Sequence, residues 1–127
     1  MSSPVLLSIV ESPAHPSLSA LYRRLGLDEV RVTSQRKAIA LLKKRPPDWV
    51  VAEFYYGYGN NYAGANVSNL DVFLASLQKY APDCRVVVLV DKSERQYVDR
   101  LAERFTLHRV LVQPVDEAGM AAVLEAD

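Results

Sequence analysis

The stretch RPPDWVVAEFYYGYGNNYAGANVSNLD, residues 45–71, decides the fold. Two prolines stop whatever precedes them, and WVVAEF (49–54) then runs apolar at consecutive positions before reaching the acid Glu53. A strand with water on one face alternates apolar and polar residues. A strand covered on both faces does not, and that is how this run reads. Beyond Phe54 the chain turns to tyrosine, glycine and asparagine.

Four further runs share the pattern: VLLSIV (5–10), VRVT (30–33), RVVVLV (85–90) and HRVLVQ (108–113). Amphipathic helices fill the gaps. Leu18, Leu21, Tyr22 and Leu25 follow helical spacing and stop at Gly26. Ala38, Leu41 and Leu42 mark a second helix that starts near Ser34 and ends before Pro46 and Pro47. Leu70, Phe73, Leu74 and Leu77 mark a third. Ser93 and Gln96 read as a capping box for a fourth, with Val98, Leu101, Ala102 and Phe105 as its buried stripe. Met120, Val123 and Leu124 suggest a last short helix.

Strict strand–helix alternation predicts an α/β protein: a (βα)5 flavodoxin-like three-layer sandwich with a parallel sheet in the order 2-1-3-4-5. The 127 residues are expected to form a single domain, 1–127, with one extended connection at 54–69. In such folds the functional crevice lies at the carboxyl ends of the strands. The candidate site residues are therefore Glu11 and Ser12, Glu53, Val90 and Asp91, and Gln113 and Pro114.

Fifteen basic residues balance fifteen acidic ones, so the chain lacks the bulk positive charge that drives nucleic-acid binding, and no nucleic-acid partner is expected. The RRL and KKR clusters at 23–25 and 43–45 fall at helix ends, where they complement the helix dipole. The single cysteine, Cys84, excludes an internal disulfide and reads as a packed thiol. No run approaches a membrane span, and MSSPVLLSIVES lacks the basic start of a signal peptide. A cytoplasmic location and no membrane association are the resulting expectations.

These motifs, in this order, resemble the receiver domain of bacterial response regulators over nearly the whole chain. RPPDWVVAEF resembles that family's third strand, LLSIVES its first, RVVVLVDKSE its fourth and RVLVQPVD its fifth. The resemblance implies a phosphoacceptor site and shows where this chain departs from it. The phosphoacceptor aspartate is replaced by Glu53. The two acids that help hold magnesium become Glu11 and Ser12. The hydroxyl residue ending the fourth strand is Val90, the lysine of the fifth is Gln113, and the aromatic switch position is Val110. A longer carboxylate is displaced for attack, valine donates nothing to a phosphoryl oxygen, and glutamine cannot neutralise developing charge. The expectation is a phosphorylation-independent pseudo-receiver, a stand-alone regulatory module without enzymatic activity or cofactor. It would act on a protein partner: a kinase, an output protein or a second copy. The family's helix 4–strand 5–helix 5 face is one candidate dimer surface, and the tyrosine loop at 54–69 is the other. The resemblance also implies a cis peptide between Gln113 and Pro114.

Glu11 and Glu53, with Asp91 as a third, are weighed as ligands for a weak divalent ion, and no metal is assigned. Tyr55, Tyr56, Tyr58 and Tyr62 are the candidate partner-binding residues, because tyrosine among glycine and asparagine is a composition that binding surfaces use. A lid that buries one or two of these tyrosines against Glu53, and a loop without a role, remain open beside that reading. The alternative function is a small-molecule-binding or enzymatic flavodoxin-like domain with the tyrosine loop as pocket wall. Against an enzyme stands the expectation that no histidine lies near the site: His15 is five residues past the first strand and His108 begins the fifth.

Overall fold

The computed structural model describes residues 3–57 and 67–125. Five parallel strands, β1 (Val5–Ile9), β2 (Asp28–Val32), β3 (Trp49–Glu53), β4 (Arg85–Val90) and β5 (Arg109–Val112), form one sheet in the order β2-β1-β3-β4-β5. Every residue of β3 is buried, as its unbroken apolar run requires of a central strand. The helices are α1 (Ser19–Arg24), α2 (Gln35–Leu41), α3 (Asp71–Tyr80), α4 (Val98–Ala102) and α5 (Glu117–Glu125).

Side-chain alternation along the strands splits the core into two layers. Val50, Ala52, Val86, Val88 and Val90 pack with Ala38, Phe73, Leu74, Leu77, Val98 and Leu101 from α2, α3 and α4. Leu6, Val51, Val87 and Leu89 pack on the other face with Leu21, Tyr22, Met120 and Val123 from α1 and α5. Helix α1 ends at Gly26, whose φ of 79° lets the chain reverse while its N–H donates to the Arg23 carbonyl at 3.1 Å. Helix α2 begins where Ser34 accepts from the Lys37 N–H at 3.1 Å.

Two expectations about elements need correction. The second strand is Asp28–Val32, two residues earlier than VRVT, because its start pairs with Val5 at the head of β1. Ser93 does not cap the fourth helix. Asp91 instead caps a 3-10 helix ahead of it, accepting from the Ser93 N–H at 2.9 Å and from the Ser93 hydroxyl. That 3-10 helix spans Lys92–Tyr97, leaving α4 only its five residues; Ala102 is exposed and Phe105 lies beyond the helix. The Gln113–Pro114 peptide is cis, as the resemblance implied.

Candidate functional site

Glu53 closes β3 and points into a ring of donors at the carboxyl end of the sheet. Its side chain is 1% exposed. Oε2 accepts from the backbone N–H of Glu11 at 2.7 Å and of Ser12 at 3.2 Å. Oε1 accepts from the Tyr55 hydroxyl at 2.6 Å and from the Ser12 hydroxyl. His15 Nδ1 lies 3.1 Å from Oε2; an ionised carboxylate only accepts, so Nδ1 carries the hydrogen. Burial is the largest single influence on this acid and raises its pKa. The hydrogen bonds from His15, Ser12, Tyr55 and the Glu11 backbone together outweigh it and bring the group down to about 2. Glu53 is a buried, ionised and internally solvated anion.

This arrangement corrects the expectation that no histidine lies nearby. The β1–α1 connection folds back over the sheet, with the His15 N–H bonded to the Ser12 carbonyl at 3.2 Å, and the turn delivers a buried imidazole to Glu53. His108 stays apart, edge-on to Trp49 with ring centroids 5.3 Å apart. The order of contacts matters chemically. In a nucleophilic triad the imidazole stands between hydroxyl and acid. Here the acid stands between Ser12 and His15, so the imidazole has no path to the serine proton, and a carboxylate with a pKa near 2 is a poor base for it.

The remaining candidates do not all converge. The Glu11 side chain is held by other partners: its Oε1 accepts from Gln35 Nε2 at 2.8 Å and Asn69 Nδ2 at 3.0 Å. Asp91 caps the 3-10 helix and faces solvent, so it does not join Glu11 and Glu53 as a ligand. Val90 is fully buried in the core, and Val110 packs against the same cluster half-buried. Gln113 Nε2 donates to the Ala14 carbonyl at 3.2 Å, tying the end of β5 to the β1–α1 connection, with Pro114 exposed beside it. Among the described residues no group of three or more His, Cys, Asp or Glu side chains could hold a metal ion.

The stem of the tyrosine loop is built from both ends. Tyr56 and Ser68 form an antiparallel bridge, Gly57 N–H donates to the Val67 carbonyl at 2.8 Å, and Asn69 N–H to the Tyr55 carbonyl at 3.2 Å. Asn69, which the sequence did not single out, also donates to the Glu53 carbonyl at 2.8 Å and accepts from the Tyr55 N–H at 2.8 Å. Tyr55 is half-buried, with its hydroxyl on Glu53. Tyr56 is 37% exposed and stacks on Tyr97 with centroids 3.8 Å apart; Arg100 donates to its hydroxyl at 3.1 Å. Tyr58 and Tyr62 lie outside the described residues.

No protein-family model matches the chain, and no curated protein does. Solved structures match over nearly its full length. A response regulator receiver domain protein from Clostridium thermocellum aligns at TM-score 0.71 and 14% identity, covering 97% of this chain and 91% of that one. A CheY-like response regulator receiver domain from Methylobacillus flagellatus aligns at TM-score 0.67 and 16% identity, covering 98% of both chains. The receiver domain of a sensor histidine kinase from Pseudomonas aeruginosa, solved with magnesium in its active-site cleft, aligns at TM-score 0.70 and 12% identity over 98% of this chain and 96% of that one. With this strand order and this span of likeness, the chain has the fold of a CheY-like response-regulator receiver domain.

Proposed function

We propose that the chain is a pseudo-receiver: a regulatory module that binds a protein partner without being phosphorylated. The observation that carries this reading is the Glu53 carboxylate, whose two oxygens already take five hydrogen bonds. A carboxylate has about four lone-pair sites. None is left uncommitted to attack phosphorus or bind an ion. Admitting a phosphoryl group would strip buried donors of their acceptor, at about 1–3 kcal/mol each. The groups that would stabilise a transferred phosphate are also missing: Val90 is apolar, and the neutral amide of Gln113 is bonded to Ala14.

A module without a covalent switch transmits through its surface. Tyr56 and Val112 are large apolar side chains left exposed, one at the loop stem and one on edge strand β5. They fit a partner, or a second copy, docking on the tyrosine loop or on the face formed by α4, β5 and α5. The test is incubation with acetyl phosphate and magnesium followed by intact-mass measurement. No mass gain is expected, and a stable gain of one phosphoryl group overturns the reading. One observation favours the alternative of a small-molecule-binding domain: a cleft of about 510 Å³ whose lining, among the described residues, is Glu11, Tyr55, Tyr56 and Gly57. Thermal-shift screening against metabolites separates the two readings.

A further inference from the structure

The chain balances its charges overall but not locally. Between Val30 and Pro47 it carries six basic residues and no acid, so acids outnumber bases in the remainder. Four of the six fall on one face of α2. Arg36 and Lys43 are seven residues apart, as are Lys37 and Lys44. Seven residues bring a helix back to nearly the same side after two turns, about 10 Å along its axis. The helical course reaches that far: Leu42 has right-handed helical dihedrals, and the Arg45 N–H donates to the Leu41 carbonyl at 2.8 Å. All four side chains are exposed, with Ala40 exposed between them, while Ala38 and Leu42 are buried in the core. Among the described residues no acid pairs with any of the four.

Stability does not ask for this arrangement. Lys43 and Lys44 sit at the carboxyl end of the helix, where cations suit its dipole. Arg36 and Lys37 occupy the first turn, where they oppose it and no acid offsets them. Lys79, at the end of α3, adds a further cation: its ammonium and that of Lys43 share the Tyr80 ring, 5.4 and 5.9 Å from the centroid. Cations gathered against the dipole and against their mutual repulsion are stabilised by an anion. The geometry narrows which one. Two rows spread over two turns do not converge on a single phosphate. A membrane would need an apolar anchor, and the face offers only Ala40. A long polyphosphate would run past the patch onto a surface where acids are in excess. A short acidic segment meets all three limits. A helix meets them best, because its carboxylates repeat at the same seven-residue spacing and Ala40 lets a second helix approach closely.

We propose that the outer face of α2, formed by Arg36, Lys37, Lys43 and Lys44, is the docking surface for an acidic helix of a partner protein. It rests on the reading of the chain as a protein-binding module and gives the partner a chemistry. The probe is an alanine-based helical peptide with pairs of glutamates repeated every seven residues, and its control is a peptide of the same composition in scrambled order. Both are titrated by calorimetry at low ionic strength. The expected result is saturable binding of the probe, severalfold tighter than of the control and weakened by salt. Lys37→Glu with Lys44→Glu should weaken it roughly tenfold or more. Arg23→Glu with Lys92→Glu makes the same change in net charge at exposed positions elsewhere and should leave the affinity nearly unchanged. Arg36→Glu with Lys37→Glu places acids where the helix dipole favours them, so binding should fall while Tm holds or rises, a combination that misfolding cannot produce. Absence of saturable binding overturns the proposal, as does equal affinity for the scrambled peptide, an equal loss in the Arg23–Lys92 variant, or no loss in the Lys37–Lys44 variant. Tighter binding of duplex DNA or of phosphatidylserine vesicles than of the probe would overturn it too, since the face would then belong to phosphate. Self-association of the chain alone, abolished in the Lys37–Lys44 variant, would make the occupant a second copy and overturn it likewise. These outcomes leave the acetyl phosphate experiment untouched, and phosphoryl uptake there would end the pseudo-receiver reading without altering peptide binding.

Discussion

Glu53 stabilises the fold only while it is ionised. Its folded pKa of about 2 lies below the ordinary 4.5, so the stabilisation is complete above about 4.5 and is lost as pH falls toward 2. The difference corresponds to about 3 kcal/mol. Urea unfolding of the wild type at several pH values should show this acid limb. In Glu53→Gln the limb should flatten, and stability at neutral pH should fall by about 2–4 kcal/mol, because an amide nitrogen would face donors that need an acceptor. A Glu53→Gln chain as stable as wild type at pH 7 would mean that the five contacts contribute nothing net. The position of this acid is legible in the sequence: five apolar runs fix where strands end, and strand ends fix Glu11, Ser12, Glu53 and Gln113. The roles of His15, Gln35 and Asn69 are not legible there. Each reaches the site from a loop or a helix start, and where these segments place their side chains depends on packing that no local periodicity records. Sequence spacing even argues against His15, since five residues past a strand suggests distance, and only the turn back over the sheet removes it.

At the scale of elements, the β3–α3 connection is anchored where the sequence suggests only length and tyrosine content. Asn69 joins the Tyr55 backbone, the Glu53 carbonyl and the Glu11 side chain, so one amide holds the loop stem, the end of β3 and the end of β1 together. Asn69→Ala removes the acceptor from the Tyr55 N–H and the donor from the buried Glu53 carbonyl, and should cost about 2–3 kcal/mol. That should lower Tm by roughly 5–10 °C for a domain of this size. Amide exchange should quicken at Tyr55 and Gly57 but not in β4, a pattern that general destabilisation would not give. Helix α3 begins on a second anchor, with buried Asp71 accepting from the Ser68 N–H at 2.6 Å and from Arg104 at 2.9 Å. The strands and α1, α2 and α3 can be read from periodicity because their buried faces repeat over enough residues. The fourth helical segment misleads for a physical reason: Ser93 and Gln96 match the capping pattern, but the aspartate two residues earlier accepts the Ser93 N–H with a full charge, which starts a tighter 3-10 turn instead.

Across the whole molecule, the receiver fold is preserved while the resemblance places its reacting groups at positions now occupied by other residues. If the scaffold is intact and only the chemistry has been lost, replacing the groups should restore it, and partial replacement should not. Glu53→Asp alone shortens the acid by one methylene, yet Ser12 would still offer a hydroxyl where a metal-binding acid is needed, and Gln113 would still bring no charge. No phosphoryl uptake from acetyl phosphate is expected from that single variant. Ser12→Asp, Glu53→Asp, Val90→Thr and Gln113→Lys together supply the second acid, the short nucleophile, the hydroxyl and the cation, and this fourfold variant should gain one phosphoryl group in the presence of magnesium, by intact mass. Val90 is fully buried, and a hydroxyl there needs a partner, so the threefold variant that keeps Val90 serves as the control for folding and should show slower or weaker uptake. Uptake by the wild-type chain would end the pseudo-receiver reading. A folded fourfold variant that stays inert would show that the β1–α1 turn, which carries His15 onto the acid and is tied by Gln113 to the end of β5, closes the site by its backbone path as well as by its side chains.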